Sequence, residues 1–296
     1  MRLRASFSLV AAAAALAGPT AAHASPAADS MFVSAAWVAA HLNDPKLVVL
    51  HVVGRATDYE AGHVPGARMI LFSQIAGPHN GLSTELHPVP QLDSALEAAG
   101  VSNDSRIIIY GGPVPAARMY MTLDYLGLAS RVSVMNGGIA AWKSNGGDVS
   151  TETPRVTRGV IRPNLQSVVV EAPYVAANLS SSKVTILDAR DPEFYNATHA
   201  MDTMPRTGHI ASALNIPYTT LTDSTGMFKD KATLAELFRV AGVKPGTQVV
   251  TYCHIGMQGS VLYLAARSLG YDARLYDGSY EDWRRKPELP IVGPRK

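Results

Sequence analysis

Three short patterns recur in this chain at nearly the same separation, and this constrains its fold more than anything else in the sequence. Gly62-His63-Val64 returns as Gly208-His209-Ile210. Ile108-Ile109-Tyr110-Gly111 returns as Val250-Thr251-Tyr252-Cys253. Asn136-Gly137-Gly138 with Trp142 returns as Asp277-Gly278-Ser279 with Trp283. The separations are 146, 142 and 141 residues. A near-constant offset held through several elements means two copies of one folding unit. The chain has 296 residues, which fits two domains of about 100–200 residues each.

Each copy alternates short apolar runs with helical patterns. Ser34 is a plausible N-cap for a helix through Leu42. Leu47–Leu50, Arg106–Tyr110 and Val132–Met135 read as strands. Gln91–Ala99 and Ala116–Leu126 read as helices stopped by Gly100 and Gly127, and a further helix surrounds Trp142. This alternation predicts an α/β fold in which parallel strands are joined by crossover helices. Gly146–Asn164 is rich in Gly, Thr, Arg and Pro and reads as a linker. The expected organisation is a first domain over 30–148, a linker over 149–164 and a second domain over 165–296.

The only cysteine, Cys253, stands where a β-branched run ends and a buried helix around Val261–Ala266 is about to begin. Backbone N–H groups without intrahelical partners cluster at such a place. With the helix dipole they favour an anion at the sulfur, so a lowered thiol pKa is expected. Free cysteine is also a common buried apolar residue, and the short Gly256-containing loop behind Cys253 favours the reactive reading. The first copy has Gly111 at this position. It also has Leu50-His51-Val52-Val53 where the second has Leu187-Asp188-Ala189-Arg190, and Pro113-Val114-Pro115 where an anion-receiving loop needs N–H donors. Chemistry is therefore expected in the second copy alone.

Tyr252-Cys253-His254-Ile255-Gly256-Met257-Gln258 resembles the active-site loop of the rhodanese sulfurtransferases. Tyr276-Asp277-Gly278-Ser279-Tyr280-Glu281-Asp282-Trp283 resembles the family's closing motif. Leu187-Asp188-Ala189-Arg190 and Arg206-Thr207-Gly208-His209-Ile210 resemble its two other marks. The resemblance implies two tandem rhodanese-like domains, each a mainly parallel sheet flanked by helices, with a silent first domain that helps to wall the site. It implies a thiosulfate (or 3-mercaptopyruvate) sulfurtransferase that passes a sulfane sulfur through a Cys253 persulfide to cyanide or a thiol. The partners implied are a small anionic donor and that acceptor; no metal or organic cofactor is implied.

Arg190 and Arg206 resemble arginines that family members use to hold the donor, and Arg suits bidentate anion binding. Asp188 reads as a structural acceptor that orders the loops, and His209 as structural. The loop departs from well-known variants, which carry basic residues, or a Gly followed by Ser or Thr, after the cysteine. Here His254 and Ile255 stand there, and His254 would be mostly neutral at pH 7 given its ordinary pKa of about 6.5. Gly256 permits the tight curl. Gln258 could donate a hydrogen bond to the donor, and Met257 could shape the pocket wall, though either could equally serve loop packing.

Two other functional classes fit part of the pattern. A phosphatase of this fold would need a longer loop ending in a phosphate-clamping Arg, and none stands between Cys253 and Ser260. A sulfur carrier for a protein partner would need Cys253 but not turnover of small donors. A net charge of +2 gives no reason to expect a nucleic-acid partner. At the N-terminus, Met1-Arg2-Leu3-Arg4 is basic, Phe7–Ala17 is apolar, and Ala22-His23-Ala24 is a small-x-small site. These predict a Sec-type bacterial signal over 1–24, cleaved after Ala24, and a periplasmic or secreted product. The apolar run is shorter than the roughly 20 residues of a spanning helix, so no membrane insertion is expected after cleavage.

Overall fold

The computed structural model describes residues 31–199 and 206–293. The expected signal over 1–24 lies outside the described residues, as does its cleavage site. The first copy runs β1 (Phe32–Val33), α1 (Ala35–His41), β2 (Leu47–Val53), α2 (Ala56–Glu60), β3 (Arg68–Leu71), β4 (Ala76–His79), β5 (Leu82–Leu86), α3 (Val89–Ala98), β6 (Arg106–Gly111), α4 (Pro113–Tyr125), β7 (Val132–Met135) and α5 (Gly138–Ser144). The second runs β8 (Val169–Val170), α6 (Ala172–Ala177), β9 (Val184–Asp188), α7 (Pro192–Tyr195), β10 (His209–Ile210), β11 (Leu214–Asn215), α8 (Lys231–Val240), β12 (Gln248–Tyr252), α9 (Met257–Ser268), β13 (Ala273–Tyr276), α10 (Ser279–Trp283) and β14 (Ile291–Val292).

The two five-stranded sheets have one topology. The first is ordered β1-β7-β6-β2-β3 and the second β8-β13-β12-β9-β11, and every pair within them is parallel. Register confirms the sequence correspondence: His51 pairs with Tyr110 as Asp188 pairs with Tyr252. Side-chain contacts repeat as well. Tyr110 Oη accepts from Val64 N at 3.0 Å, and Tyr252 Oη accepts from Ile210 N at 3.1 Å. Tyr59 stacks on His63 with ring centroids 3.7 Å apart, and Tyr195 stacks on His209 at the same distance.

Successive strand residues face opposite sides of a sheet, so each sheet feeds two cores. Ile108 and Tyr110 pack with Val38 of α1 and Trp142 of α5. Val250 and Tyr252 pack with Val175 of α6 and Trp283 of α10. The opposite faces share one core, in which Met119 and Leu123 of α4 meet Leu262 and Ala265 of α9. The buried Asp124 of α4 accepts from Tyr263 Oη at 2.5 Å and pairs with Arg267 at 3.0 Å. The two copies are thus joined through their interior, by corresponding helices.

The helix expected over Ala116–Leu126 begins earlier in the structure: Pro113-Val114-Pro115 forms the first turn of α4. Pro fits there because its fixed φ suits a helix start and its missing N–H would have no intrahelical partner. The β4–β5 hairpin had no sequence signal assigned to it. It reaches the second copy, where Ser83 N and Oγ both donate to Glu281 at 2.9 and 3.0 Å. The expected linker runs beside α3, with Gly159 N donating to Glu97 O at 2.8 Å and Ile161 N to Glu97 Oε1 at 3.0 Å. Among the described residues no helix is long and apolar enough to cross a membrane.

Candidate active site

Parallel sheets place their ligand sites at the carboxyl ends of the strands. In the second copy three adjacent strands deliver polar groups to that edge. β9 ends at Asp188 and leads to Arg190, β12 leads to Cys253, and β13 leads to Asp277 and Ser279. β12 is the central strand of the sheet, so Cys253 has a neighbour on each side.

Cys253 is 1% exposed. The backbone N–H groups of Gly259, Ile255 and Gln258 are turned toward its sulfur and pull its pKa down. This is the curl of donors anticipated from Gly256, which holds φ at +83° as the N-cap of α9. The expected lowering of the thiol pKa is not observed. Burial pushes the Cys253 thiol up and outweighs the pull of the three N–H groups, with Asp188 adding to the rise. Helix-end position argues for the anion, but removing the sulfur from water costs the charged form more.

The loop is tied to the segment after β13. Cys253 N donates to Ser279 Oγ at 3.2 Å, and Ser279 Oγ donates to Tyr276 O at 2.9 Å. Tyr280 N donates to Cys253 O at 3.0 Å and Glu281 N to His254 O at 2.9 Å. Sequence reasoning quoted this motif without assigning Ser279 or Asp277 a role, because a Ser in a turn reads as turn chemistry alone.

Arg190 is 2% exposed. Its Nε lies 3.0 Å from Asp188 Oδ1, and Nη2 donates to Asp188 Oδ2 at 2.6 Å and to Gly208 O at 2.7 Å. Its guanidinium carbon lies 4.2 Å from the centroid of the Tyr280 ring, a cation–π distance. Burial works against the charge, but Asp188 overrides it and raises the Arg190 pKa. Among the described bonds Nη1 is the remaining donor. The structure thus sets Asp188 as the acceptor that orders Arg190.

Arg206 is placed elsewhere. Its Nη1 donates to Lys286 O at 2.7 Å and its Nη2 to Leu289 O at 2.7 Å. The guanidinium is occupied in clamping the C-terminal segment, so it is not set to hold a donor at Cys253. A charge–anion pattern in sequence cannot distinguish an anion from a cluster of backbone carbonyls. His209 stacks on Tyr195, and its Nδ1 lies 2.8 Å from Tyr195 O, a structural position.

His254 meets Phe194 edge-on at 4.7 Å. Burial, with Arg190 adding to it, lowers its pKa to about 4, so it is neutral at pH 7. Its Nδ1 and the Oε1 of Gln258 are buried without a hydrogen-bond partner. Ile255 and Met257 are half-buried. Among the described residues no group of three or more His, Cys, Asp or Glu could hold a metal ion.

The first copy also touches this site. Arg118 of α4 is fully buried and forms a bidentate pair with Asp277, with Nη2 at 2.9 Å from Oδ2. Its Nη1 also lies 3.4 Å from Gly256 O. Leu86 N of β5 donates to the same Asp277 Oδ2 at 2.9 Å. Nothing in the sequence marked Arg118, because a lone Arg in a helix reads as a solvated charge. The corresponding edge of the first sheet is a cavity of about 350 Å³ lined by His51, Gly111, Pro113 and Gly137. It has no thiol.

Both halves of the chain, residues 34–145 and 171–286, match the Rhodanese-like domain family. The chain belongs to the rhodanese family. It is 27% identical over 268 residues to a thiosulfate sulfurtransferase of Azotobacter vinelandii, covering 88% of this chain and 96% of that protein. It is 28% identical over 278 residues to a 3-mercaptopyruvate sulfurtransferase of Escherichia coli, covering 88% and 97%. It is also 28% identical over 278 residues to the sulfur carrier protein TtuD of Thermus thermophilus, covering 88% and 96%. A rhodanese domain repeated in tandem accounts for the matching sheets, and only the second repeat carries the cysteine.

Proposed function

We propose that the protein is a sulfurtransferase that moves a sulfane sulfur from thiosulfate or 3-mercaptopyruvate to a thiophilic acceptor through a persulfide on Cys253. One observation carries this reading: the single thiol stands at the carboxyl end of the central strand, where the loop turns three backbone N–H groups toward its sulfur. Those donors are fixed before reaction, so they stabilise a negative sulfur without reorganisation.

In the first half-reaction the Cys253 sulfur attacks the outer sulfur of thiosulfate. The S–S bond of the donor breaks, sulfite leaves with its electron pair and the thiol proton, and a cysteine persulfide anion remains. With 3-mercaptopyruvate the C–S bond breaks instead; its electron pair leaves on carbon as the enolate of pyruvate, which takes up one of the two thiol protons to become pyruvate while the other is released. In the second half-reaction the acceptor takes the outer sulfur; cyanide becomes thiocyanate, and the Cys253 thiolate left behind takes up a proton to restore the thiol. Neither half needs an external oxidant or reductant. Ping-pong kinetics follow from the covalent intermediate.

The test is intact mass before and after donor, then after cyanide. A gain of about 32 Da, absent in Cys253→Ser and reversed by cyanide, is expected of the covalent intermediate. No gain from either small donor, with a gain from a persulfidated protein, would favour a sulfur carrier. That reading is supported by the likeness to TtuD. Hydrolysis of p-nitrophenyl phosphate would overturn both, though the loop lacks a phosphate-clamping Arg.

Export belongs to the same reading. The basic start, Ala-rich run and Ala22-His23-Ala24 support cleavage after Ala24 and a periplasmic or secreted site of action. N-terminal sequencing of exported protein should begin at Ser25; an intact Met1 terminus on cytosolic protein would overturn it.

A further inference from the structure

We infer that Arg118, supplied by the copy without a cysteine, is a positioning residue for the Cys253 loop. The inference rests on Cys253 being the reacting atom, and it gives the first copy a part in the chemistry.

The chain of contacts is short. Arg118 leaves α4 of the first copy and is fully buried. Its guanidinium grips both carboxylate oxygens of Asp277 and reaches Gly256 O at 3.4 Å. Gly256 is the N-cap of α9, and the N–H groups of Ile255, Gln258 and Gly259 on either side of it are turned toward the Cys253 sulfur. Asp277 begins the segment whose Ser279 receives the Cys253 N–H. One side chain therefore joins the two segments that orient the thiol, the loop of α9 and the turn after β13.

Three features make this more than an interdomain tie. A planar guanidinium offers several donors in a fixed fork, so it can hold a carboxylate and a carbonyl in one geometry; an ammonium cannot. The first copy grips Asp277 a second time through Leu86 N of β5 at 2.9 Å. A second interdomain ion pair, Asp124 with Arg267, lies along α4 and α9 away from the loop, and its hydrogen-bonded neighbour Tyr263 offers a control. Small displacements of a supporting group can lower a rate by about 100-fold, so a loosened fork should be visible in the chemistry.

The experiment compares wild type with Arg118→Lys, Arg118→Met and Tyr263→Phe. Each is followed by the rate of persulfide formation, the donor KM, the unfolding midpoint, and the pH profile of Cys253 alkylation by iodoacetamide. Arg118→Lys should fold cooperatively and form persulfide about 10- to 100-fold more slowly, with KM little changed, because positioning is lost and not donor binding. Its alkylation profile should move up by about one pH unit as the N–H groups lose their aim, and Arg118→Met should move it at least as far if it folds. Tyr263→Phe should lower the midpoint and leave the alkylation profile in place. A lowered midpoint in Arg118→Lys with rate and alkylation profile both unchanged would reduce Arg118 to a structural tie and overturn the inference. Alkylation needs no sulfur donor. A wild-type protein that took up no sulfur would therefore count against the sulfurtransferase reading, while the alkylation profile still decided the role of Arg118.

Discussion

Gly256 and Asp277 are packed so closely that a Cβ on Gly256 would lie 2.5 Å from Asp277 Oδ1 and 2.6 Å from Asp277 O. The loop that follows the cysteine is thereby pressed against the turn that closes the site. With φ at +83°, the position also disfavours any residue with a side chain, by roughly 1–2 kcal/mol.

Gly256→Ala should therefore lose both backbone ease and space. Added strain and overpacking together should lower stability by roughly 2–4 kcal/mol. Sulfur transfer should fall more steeply than stability accounts for, because the donors to Cys253 move. Urea unfolding together with the rate of persulfide formation checks this. An alanine variant with both values unchanged would contradict the packing.

Arg190 and Asp188 form a buried pair whose members need each other. Arg190→Ala should destabilise by about 3–5 kcal/mol, since it leaves a carboxylate buried without its partner. The double variant Arg190→Met with Asp188→Leu should recover much of that loss. Arg190→Ala should also raise the donor KM if Nη1 meets the anion; an unchanged KM in the folded variant would limit Arg190 to ordering the edge of the sheet.

Tyr263→Phe removes the hydroxyl that donates to buried Asp124 while Arg267 remains. A buried acceptor that loses a donor costs about 1–3 kcal/mol. Because α4 and α9 share one core, both copies should still unfold in a single transition. Two resolved transitions in calorimetry would show that the copies are not coupled through this core.

Two groups give opposite pH dependences. Burial lowers His254 to about 4, so the unfolded chain takes up this proton first. The stability is present above about 6.5 and is lost as pH falls toward 4, by roughly 3 kcal/mol. Burial, with Asp277 adding to it, pushes Glu85 of β5 up to about 8. The unfolded carboxyl loses its proton first, so stability is lost as pH rises from about 4.5 to 8. Unfolding midpoints across pH should therefore fall less steeply between about pH 6.5 and 4 in His254→Gln and less steeply toward pH 8 in Glu85→Gln. Slopes identical to wild type would show that neither group is held as described.

Much of this protein was legible in its sequence. The recurring Gly-His, Tyr-Cys or Tyr-Gly, and Trp patterns identified two copies. Alternating apolar runs identified parallel sheets, since period and turn chemistry are local properties. The single cysteine at a strand end marked the edge that matters. Tertiary structure alone decided which residues meet there. Arg118 is 159 residues from Asp277, and no local pattern encodes that contact. Arg206 could have faced a donor, yet the carbonyls of Lys286 and Leu289 claim it. The thiol pKa rises because packing excludes water from Cys253, and desolvation depends on everything that covers the sulfur. Sequence determines local geometry and repetition; burial and long-range pairing exist only once the two copies close on each other.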